Sequence, residues 1–353
     1  MRLTHLQHFA PICPSCKRDY GKQVKLQLQV RQGDQQWVEE GVLFCSECRS
    51  LYPIIHGVPI LVPDVQTYLS NSQLHLLWDD RLSFFTQQWL AESSGPASGF
   101  ELTRQYLSTY CWTHYGDLDP ELKGPPSYLL NLVDNLQTAE TNLESGLHLE
   151  IGCSVGRSTF EVAKQNQQPT LGIDINFSMI RTAQRILRQK HLRYGLRKVG
   201  ITYKWREYQV SLEGSEFVDF WVADALCLPF SDKTIQTIHS MNVLDCVSDP
   251  LQHLKEMSRV QKAGGKIGVV CPYDWSPNAT EYTSWMGGRN QMQPLSGSSD
   301  EIIRWVLSEQ GPLAELQNTK ILYEQKDLPW AIRIHDRSVM HYKTHLVIAE
   351  SKK

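Results

Sequence analysis

The sequence predicts an α/β protein with a doubly wound, seven-stranded Rossmann-like sheet, an N-terminal β-rich module and a helical region that connects the two. The first observation is the alternation of short apolar segments with helical patterns from residue 147 onward. The second is a glycine-rich turn directly after the first of those segments, and the third is a pair of C-x-x-C motifs near the N-terminus. We therefore divide the 353 residues into segments 1–64, 65–146 and 147–353.

Composition narrows the class of protein. The chain has 35 basic and 38 acidic residues, so no overall field draws it to nucleic acid or to a membrane. No apolar window is long enough for a membrane helix, and the N-terminal residues lack a basic region followed by an apolar one. Five of the nine cysteines are scattered singly, which is typical of a reducing compartment. We expect a cytoplasmic protein without membrane association, and the sequence leaves its oligomeric state open.

The N-terminal segment contains two cysteine pairs, Cys13 with Cys16 and Cys45 with Cys48, separated by the alternating strand pattern VKLQLQV. Four thiolates on two turn-forming knuckles bind Zn²⁺ tetrahedrally and close the metal to water. A redox C-x-x-C is the alternative, but it would be one pair beside a β-α-β unit. We therefore predict a zinc ribbon with a structural metal, which supplies much of the folding energy of so small a module.

A resemblance extends this prediction. With Tyr52, Pro53, Gly57 and Pro59, residues 10–64 resemble the small zinc-binding activator subunit that partners several tRNA, rRNA and protein methyltransferases. The resemblance implies a scaffold, fused here in cis, that docks on the edge of a methyltransferase sheet or helps to hold substrate. It does not by itself imply nucleic-acid binding.

Residues 65–146 combine short helical patterns with breakers such as Gly95-Pro96, and we interpret them as a helical connector or lid. Most of the aromatic residues there are expected to cover the catalytic sheet. A cluster of Tyr110, Trp112, His114 and Tyr115 suits a pocket for a small planar substrate. The alternative is a packed helix end with satisfied polar tips.

The glycine-rich turn lies in the stretch LHLEIGCSVGRSTFEVAKQNQQPTLGID, residues 147–174. Gly152 and Gly156 permit turns that a Cβ would obstruct, and a parallel β-α-β unit brings them to the same sheet edge as Asp174. A carboxylate there accepts hydrogen bonds from ribose hydroxyls. A nicotinamide or flavin site would require G-x-G-x-x-G, whereas this turn is G-x-x-x-G after Glu150, an acid that suits a cationic ligand with an amino group. We predict S-adenosylmethionine as the cofactor.

Further strands follow. Phe217–Val222 is the predicted third strand and runs into Asp224 and Ala225, where an acid can accept from an adenine amino group. Residues 234–240 and 266–271 are the fourth and fifth strands, and residues 321–333 and 342–350 form an antiparallel closing pair. Between Ile175 and Arg206 there are nine Lys or Arg residues and no acid. A solvated helix face is the commoner interpretation of such a run, and contact with nucleic acid is the alternative.

A second resemblance covers most of residues 147–350. Its anchors are GCSVGRSTFEVA, LRYG, NVLDCVSDP and PYDWSPNATEYTSWMGG. These resemble the C-terminal domain of ovothiol synthase, the thiohistidine N-methyltransferase family. The resemblance implies a class I methyltransferase that acts on an imidazole nitrogen of a sulfur-substituted histidine. The N-terminal ribbon departs from that family, as does the missing iron-dependent sulfoxide synthase, so a related but different substrate stays open.

The predicted acceptor side follows the fourth and fifth strands. We assign Asn242, Asp245, Tyr273 and Asp274 to this side, with Arg333 as a bidentate partner of a substrate carboxylate. An Asx-turn is the alternative for Asp274, and a surface ion pair is the alternative for Arg333. The predicted function is methyl transfer to a small metabolite. An rRNA or tRNA base methyltransferase and a non-catalytic donor-binding protein are the competing hypotheses.

Overall fold

A computed structural model of the chain describes residues 1–77, 82–122, 124, 128–139, 145–289, 297–309, 311 and 319–352. The N-terminal segment contains α1 (Leu3–Phe9), α2 (Pro14–Tyr20), β1 (Gln27–Gly33), β2 (Val38–Phe44), β3 (Leu51–Ile55) and β4 (Val58–Leu61). The connector contains α3 (Val65–Asn71), α4 (Gln73–Leu76), α5 (Phe84–Ser94), α6 (Gly99–Tyr115) and α7 (Tyr128–Ala139).

The C-terminal segment alternates strands and helices. Its elements are β5 (His148–Ile151), α8 (Arg157–Asn166), β6 (Thr170–Asp174), α9 (Phe177–Gln189), β7 (His191–Val199), β8 (Thr202–Gln209), β9 (Val218–Ala223), β10 (Ile235–Met241), α10 (Pro250–Val260), β11 (Gln261–Cys271), α11 (Ser299–Val306), β12 (Thr319–His335) and β13 (Ser338–Ser351). Local chemistry sets some of the helix starts. Asp249 accepts the Gln252 N–H at 3.0 Å before Pro250 opens α10.

Seven strands form the predicted doubly wound sheet, in the order β9-β6-β5-β10-β11-β13-β12. The first five are mutually parallel, and β13 pairs antiparallel with both β11 and β12. The α/β fold class and the antiparallel closing pair predicted from the sequence are therefore confirmed. All four residues of β5 and all seven of β10 are buried, as expected for central parallel strands.

The ribbon continues this sheet. Strand β4 pairs in parallel with β9, matching Ile60 with Val222, so that β1 to β4 extend the sheet to eleven strands. The core is shared as well, because the ring of Phe9 lies 6.0 Å from Trp221 and 5.8 Å from Phe230. The expected docking on a sheet edge thus takes the form of a continuous ladder. The divisions at residues 64 and 146 stay predictions of chain organisation.

The basic run differs from its prediction. Its first part lies on α9, but residues 191–209 form the two-stranded hairpin β7–β8, so the interpretation as a helix face is wrong for that part. Alternate residues of β7 are buried, beginning with Leu192 and Tyr194. Arg206 donates through Nε to Asp119 Oδ2 at 2.6 Å, and Lys204 lies 3.1 Å from Glu121. These charges hold the hairpin against the connector.

A search of the described helices for a membrane span found none of sufficient length and apolarity.

Candidate active site

A cleft of about 710 Å³ opens at the carboxyl ends of β5, β6, β9 and β10. Helices α6 and α7 and the hairpin β12–β13 complete its walls. Eight of the eleven residues predicted for the donor and acceptor sides line it: Glu150, Gly152, Asp174, Asp224, Ala225, Asn242, Asp245 and Asp274. Gly156, Tyr273 and Arg333 lie outside its lining. The two predicted sides thus form one continuous space.

The glycine turn has the geometry its spacing implies. Gly152 has φ +75°, and a Cβ there would lie 2.2 Å from Val243 Cγ2. Gly156 has φ +89° and packs beneath the turn, where a Cβ would lie 2.5 Å from Phe220 Cζ. Both conformations favour glycine. The turn therefore leaves its backbone open to the cleft at Gly152, and Gly156 permits close packing of α8 on the sheet.

Asp174 ends β6 inside the cleft. Its Oδ2 accepts the Ser154 N–H at 3.0 Å and its Oδ1 accepts the Asn176 N–H at 2.8 Å. Burial raises the pKa of this carboxyl, and the backbone donors oppose that shift. Each oxygen has a further lone pair, so the group can still accept from a ligand.

Glu150 is held by the start of α8. Ser158 Oγ donates to Glu150 Oε1, and Thr159 Oγ1 donates to Oε2 at 2.5 Å. Burial raises the pKa of the Glu150 carboxyl, while the two hydroxyls oppose the rise. Ser158 and Thr159 were not among the predicted site residues, although their positions directly after the glycine turn offered the signal.

Two further acids face each other after β10 and β11. Asp245 is 3% exposed, and its Oδ2 accepts the Asp274 N–H at 2.7 Å. Tyr342 donates its hydroxyl to Asp274 Oδ2 at 3.1 Å, and burial together with this bond raises the pKa of Tyr342 to about 12. Burial also raises the pKa of Asp245. Beside them, Asn242 has φ +55°, and among the described residues its buried Oδ1 has no hydrogen-bond partner.

Tyr273 and Arg333 have other partners. The Tyr273 hydroxyl lies 2.7 Å from Nδ1 of His345, whose Nε2 lies 3.1 Å from Glu324 Oε1. Arg333 pairs with Asp336 and donates to the Arg197 carbonyl at 2.8 Å. The alternative for Arg333 was a surface ion pair, but Arg333 is 7% exposed and its ion pair is partly buried; Arg333 does not line the cleft with the other site residues.

The aromatic cluster of α6 divides between cleft and core. Tyr110 and His114 line the cleft, whereas the buried Tyr115 donates its hydroxyl to the Val155 carbonyl at 2.8 Å. Burial and the neighbouring Arg157 lower the pKa of His114 to about 3, so its imidazole is neutral. Sequence reasoning missed several lining residues: Tyr106, Trp330 and Tyr342, which carry no motif, and Cys246, which lies within the NVLDCVSDP anchor.

Residues 149–269, which hold the glycine turn and most of the parallel strands, match the family model of a methyltransferase domain. The chain contains a class I, S-adenosylmethionine-dependent methyltransferase domain. The chain is 29% identical to norajmaline N-methyltransferase of Rauvolfia serpentina over 122 residues. This alignment covers 35% of the chain and 34% of that protein. The chain is 32% identical over 81 residues to demethylmenaquinone methyltransferase of Streptomyces griseus subsp. griseus, covering 22% and 35%. The chain thus spans about a third of the length of these curated relatives.

The solved structures that resemble the chain do so at low sequence identity. One is the [4+2]-cyclase SpnF, with 15% identity and a TM-score of 0.40 over 63% of this chain and 80% of the other. Another is a chain from a complex that contains the Haloferax volcanii Trm112 methyltransferase activator, with 13% identity and a TM-score of 0.40 over 71% and 97%.

Beside the methyltransferase domain, the ribbon brings its four predicted ligands together. The Sγ atoms of Cys13, Cys16, Cys45 and Cys48 all lie within 4.8 Å of one another. Cys13 and Cys48 are 3.5 Å apart, and Cys16 and Cys45 are 3.6 Å apart. Metal–sulfur bonds of about 2.3 Å in a tetrahedron place sulfurs roughly 3.8 Å apart, so the four residues fit a tetrahedral thiolate-bound metal.

Proposed function

We propose that this protein transfers a methyl group from S-adenosylmethionine to a small metabolite, and that the acceptor is an imidazole nitrogen of a thiohistidine-like compound. The observation that carries the proposal is the single cleft in which the donor-side acids and the acceptor-side acids meet. The resemblance of residues 147–350 to the thiohistidine N-methyltransferase domain supports the choice of acceptor.

The donor side fits the cofactor. When bound, S-adenosylmethionine supplies an electrophilic methyl group on a sulfonium. Asp174 would hold its ribose hydroxyls, and Asp224, whose Oδ1 accepts the Leu226 N–H at 2.8 Å, would use Oδ2 for the adenine amino group. Glu150 and the open backbone at Gly152 would face the amino-acid portion. A Cβ at Gly152 would collide with Val243, which also lines the cleft, so that only glycine keeps this part of the turn as it is; this is the feature that most favours the fit.

The acceptor side needs to position a nucleophile more than to activate it. Asp274 Oδ1 can accept the N–H of an imidazole, which leaves the second ring nitrogen with its lone pair free to attack. Tyr110 and Tyr342 line the same space and offer ring faces. Holding two reactants in a near-attack geometry contributes on the order of 7 to 11 kcal/mol to catalysis.

We further propose that the four cysteines hold a structural Zn²⁺. The metal would stabilise the ribbon, and β4 of the ribbon in turn pairs with β9. Because Asp224 directly follows β9, the ribbon would support the donor side without contacting the cofactor.

An rRNA or tRNA base substrate has weaker support. The basic run that suggested it contains Arg206 and Lys198, which pair with Asp119 and Asp336. Charges engaged in this way are less available to phosphates.

The test incubates purified protein and labelled S-adenosylmethionine with 5-thiohistidine or with bulk RNA. We expect label on 5-thiohistidine at a nitrogen of the ring, little label on RNA, and loss of turnover in Asp174→Ala. Asp232→Ala, which removes an exposed partner of Arg259, is the matched control and should retain activity. Strong labelling of RNA with none on the thiohistidine would contradict the proposal.

A further inference from the structure

The charge of the cleft is one-sided. Five carboxylates line it: Glu150, Asp174, Asp224, Asp245 and Asp274. No Lys or Arg is among the described residues that line it, and His114 is neutral because burial lowers its pKa. The donor accounts for the first three acids. Asp245 and Asp274 are left on the acceptor side, and no described residue of the lining supplies a cation for them.

These two acids have unused acceptor capacity. Besides the Asp274 N–H, the donors to the Asp245 carboxyl are its own backbone N–H and the weak thiol donors Cys246 and Cys271, and no hydrogen bond to Asp274 Oδ1 is found among the described residues. Asp245 is buried, and a buried carboxylate that lacks a counter-charge is costly, whereas Asp274 is exposed at the cleft. The backbone N–H of Asp274 donates to Asp245 Oδ2 at 2.7 Å, so the two residues are neighbours at the cleft.

A third acceptor lies nearby. Asn242 directly follows β10 and lines the cleft, and its Oδ1 is buried and unpartnered among the described residues. Buried polar atoms are almost always hydrogen-bonded in folded proteins. The cleft therefore presents several acceptors to a ligand that must bring the donors.

Four large aromatic side chains are among the described residues that line the cleft, and one of them, Tyr342, donates to Asp274. Tyr106, Tyr110, Trp330 and Tyr342 all line the cleft. Aromatic faces attract organic cations within about 6 Å. By contrast, the guanidinium that could have bound an anion, that of Arg333, pairs with Asp336 outside the cleft.

From these observations we propose that the acceptor carries an ammonium group, which binds Asp245 and Asp274, and carries no phosphate. An ammonium has a positive charge and three N–H donors, which match the acceptors of the two carboxylates. This inference rests on the proposed function and selects the amine-bearing members of its substrate class. The negative charges of the cleft repel phosphate esters and acceptors whose only charge is a carboxylate.

The test uses ligand pairs that share a ring and differ in charge. Histamine is compared with imidazole-4-acetate, and tryptamine with indole-3-acetate, by calorimetric titration into the protein saturated with S-adenosylhomocysteine. We expect the amine of at least one pair to bind roughly tenfold or more tightly than its carboxylate partner. Asp274→Asn should reduce that preference by about tenfold, and Asp245→Asn should act in the same direction.

Controls separate this inference from the proposed function. Asp232→Asn should keep the preference, and both cleft variants should bind S-adenosylhomocysteine as the unmodified protein does, which shows that they fold. A protein that binds S-adenosylhomocysteine but takes the carboxylates at least as tightly, or binds neither amine, overturns the ammonium proposal alone. Failure to bind S-adenosylhomocysteine contradicts the proposed function. The ligand pairs are therefore also titrated into the protein without S-adenosylhomocysteine. There too, tighter binding of the amine than of its carboxylate partner supports the ammonium proposal, and the opposite order overturns it.

Discussion

Replacing Gly152 with alanine tests whether the glycine turn is the donor cradle. At φ +75° an alanine costs about 1–2 kcal/mol relative to glycine. Its Cβ would also lie 2.2 Å from Val243 Cγ2, so either the turn or Val243 must move, and such overpacking costs about 1–3 kcal/mol. Together these terms amount to roughly 2–5 kcal/mol. Because the moved turn must be restored for the donor to bind, we expect at least about a 30-fold loss of affinity.

The assay is calorimetric titration of S-adenosylhomocysteine, with the Tm recorded in parallel. Gly200→Ala is the matched control, because Gly200 has φ +55° in the β7–β8 turn and a Cβ there meets nothing within 4 Å. It shares the backbone cost and should leave affinity unchanged. Adding Val243→Ala to Gly152→Ala removes the clash and should recover part of the affinity. Binding of the Gly152→Ala variant within threefold of the unmodified protein would refute this account of the turn.

Three further outcomes are expected. Removing metal by chelation, or replacing Cys45 with serine, should lower the Tm by on the order of 10 °C in scanning calorimetry. The effect should be this large because the ribbon shares a sheet and a core with the catalytic domain. The control variant, Cys246→Ser, should keep both the metal and the Tm. For Asp245→Asn the sign follows from burial, which raises the folded-state pKa of this carboxyl, so that its ionisation costs stability as pH rises through that pKa. The variant should therefore have a Tm at least equal to that of the unmodified protein near about pH 7.5, and the difference should shrink towards about pH 4; a difference that grows on acidification would contradict the assignment. Asp119→Asn breaks the ion pair with Arg206, in which the side chains of Asp119 and Arg206 are 0% and 3% exposed. We expect this variant to lower the free energy of unfolding in urea by about 3–5 kcal/mol. Asp232→Asn, at an exposed ion pair, should lower it by less than about 1 kcal/mol.

That the proposed donor residues lie together in the cleft was predictable, because the signal for it is local. Glu150, Gly152 and Asp174 lie within one β-α-β unit, where turn geometry and strand ends follow from short-range spacing. Asn242 and Asp274 were reached by the same rule, since each follows the end of a parallel strand. Residues at the ends of parallel strands lie at the same edge of the sheet, whatever the conformation of the loops that follow them.

The far wall of the cleft was not predictable in this way. Trp330 and Ile332 face the cleft from β12, and successive side chains of a strand point to opposite faces, so Arg333 faces away. The prediction for Arg333 rested on its charge alone. The face of a strand on which a given side chain lies cannot be assigned from the alternation unless the orientation of a neighbouring residue is known. Tyr342 reaches the cleft only through the long β12–β13 hairpin.

The sequence of the basic run contains a clear pattern for its β-hairpin. Leu192, Tyr194 and Leu196 alternate with polar residues and are buried on one face. The many Lys and Arg residues obscured this period of two. In contrast, no local pattern indicates that β4 pairs with β9, because that contact joins distant parts of the chain.

That pairing has a consequence for synthesis of the protein. The ribbon leaves the ribosome early, but the partner of its last strand, β9, is made roughly 160 residues later. At about 5–20 residues per second, one side of β4 waits on the order of 10–30 s without its neighbour. During that interval Val58 and Ile60, both fully buried in the finished protein, lie on an open apolar strand edge that can pair with other nascent chains. Early metal binding can order the ribbon during this wait, but only completion of β9 protects its edge.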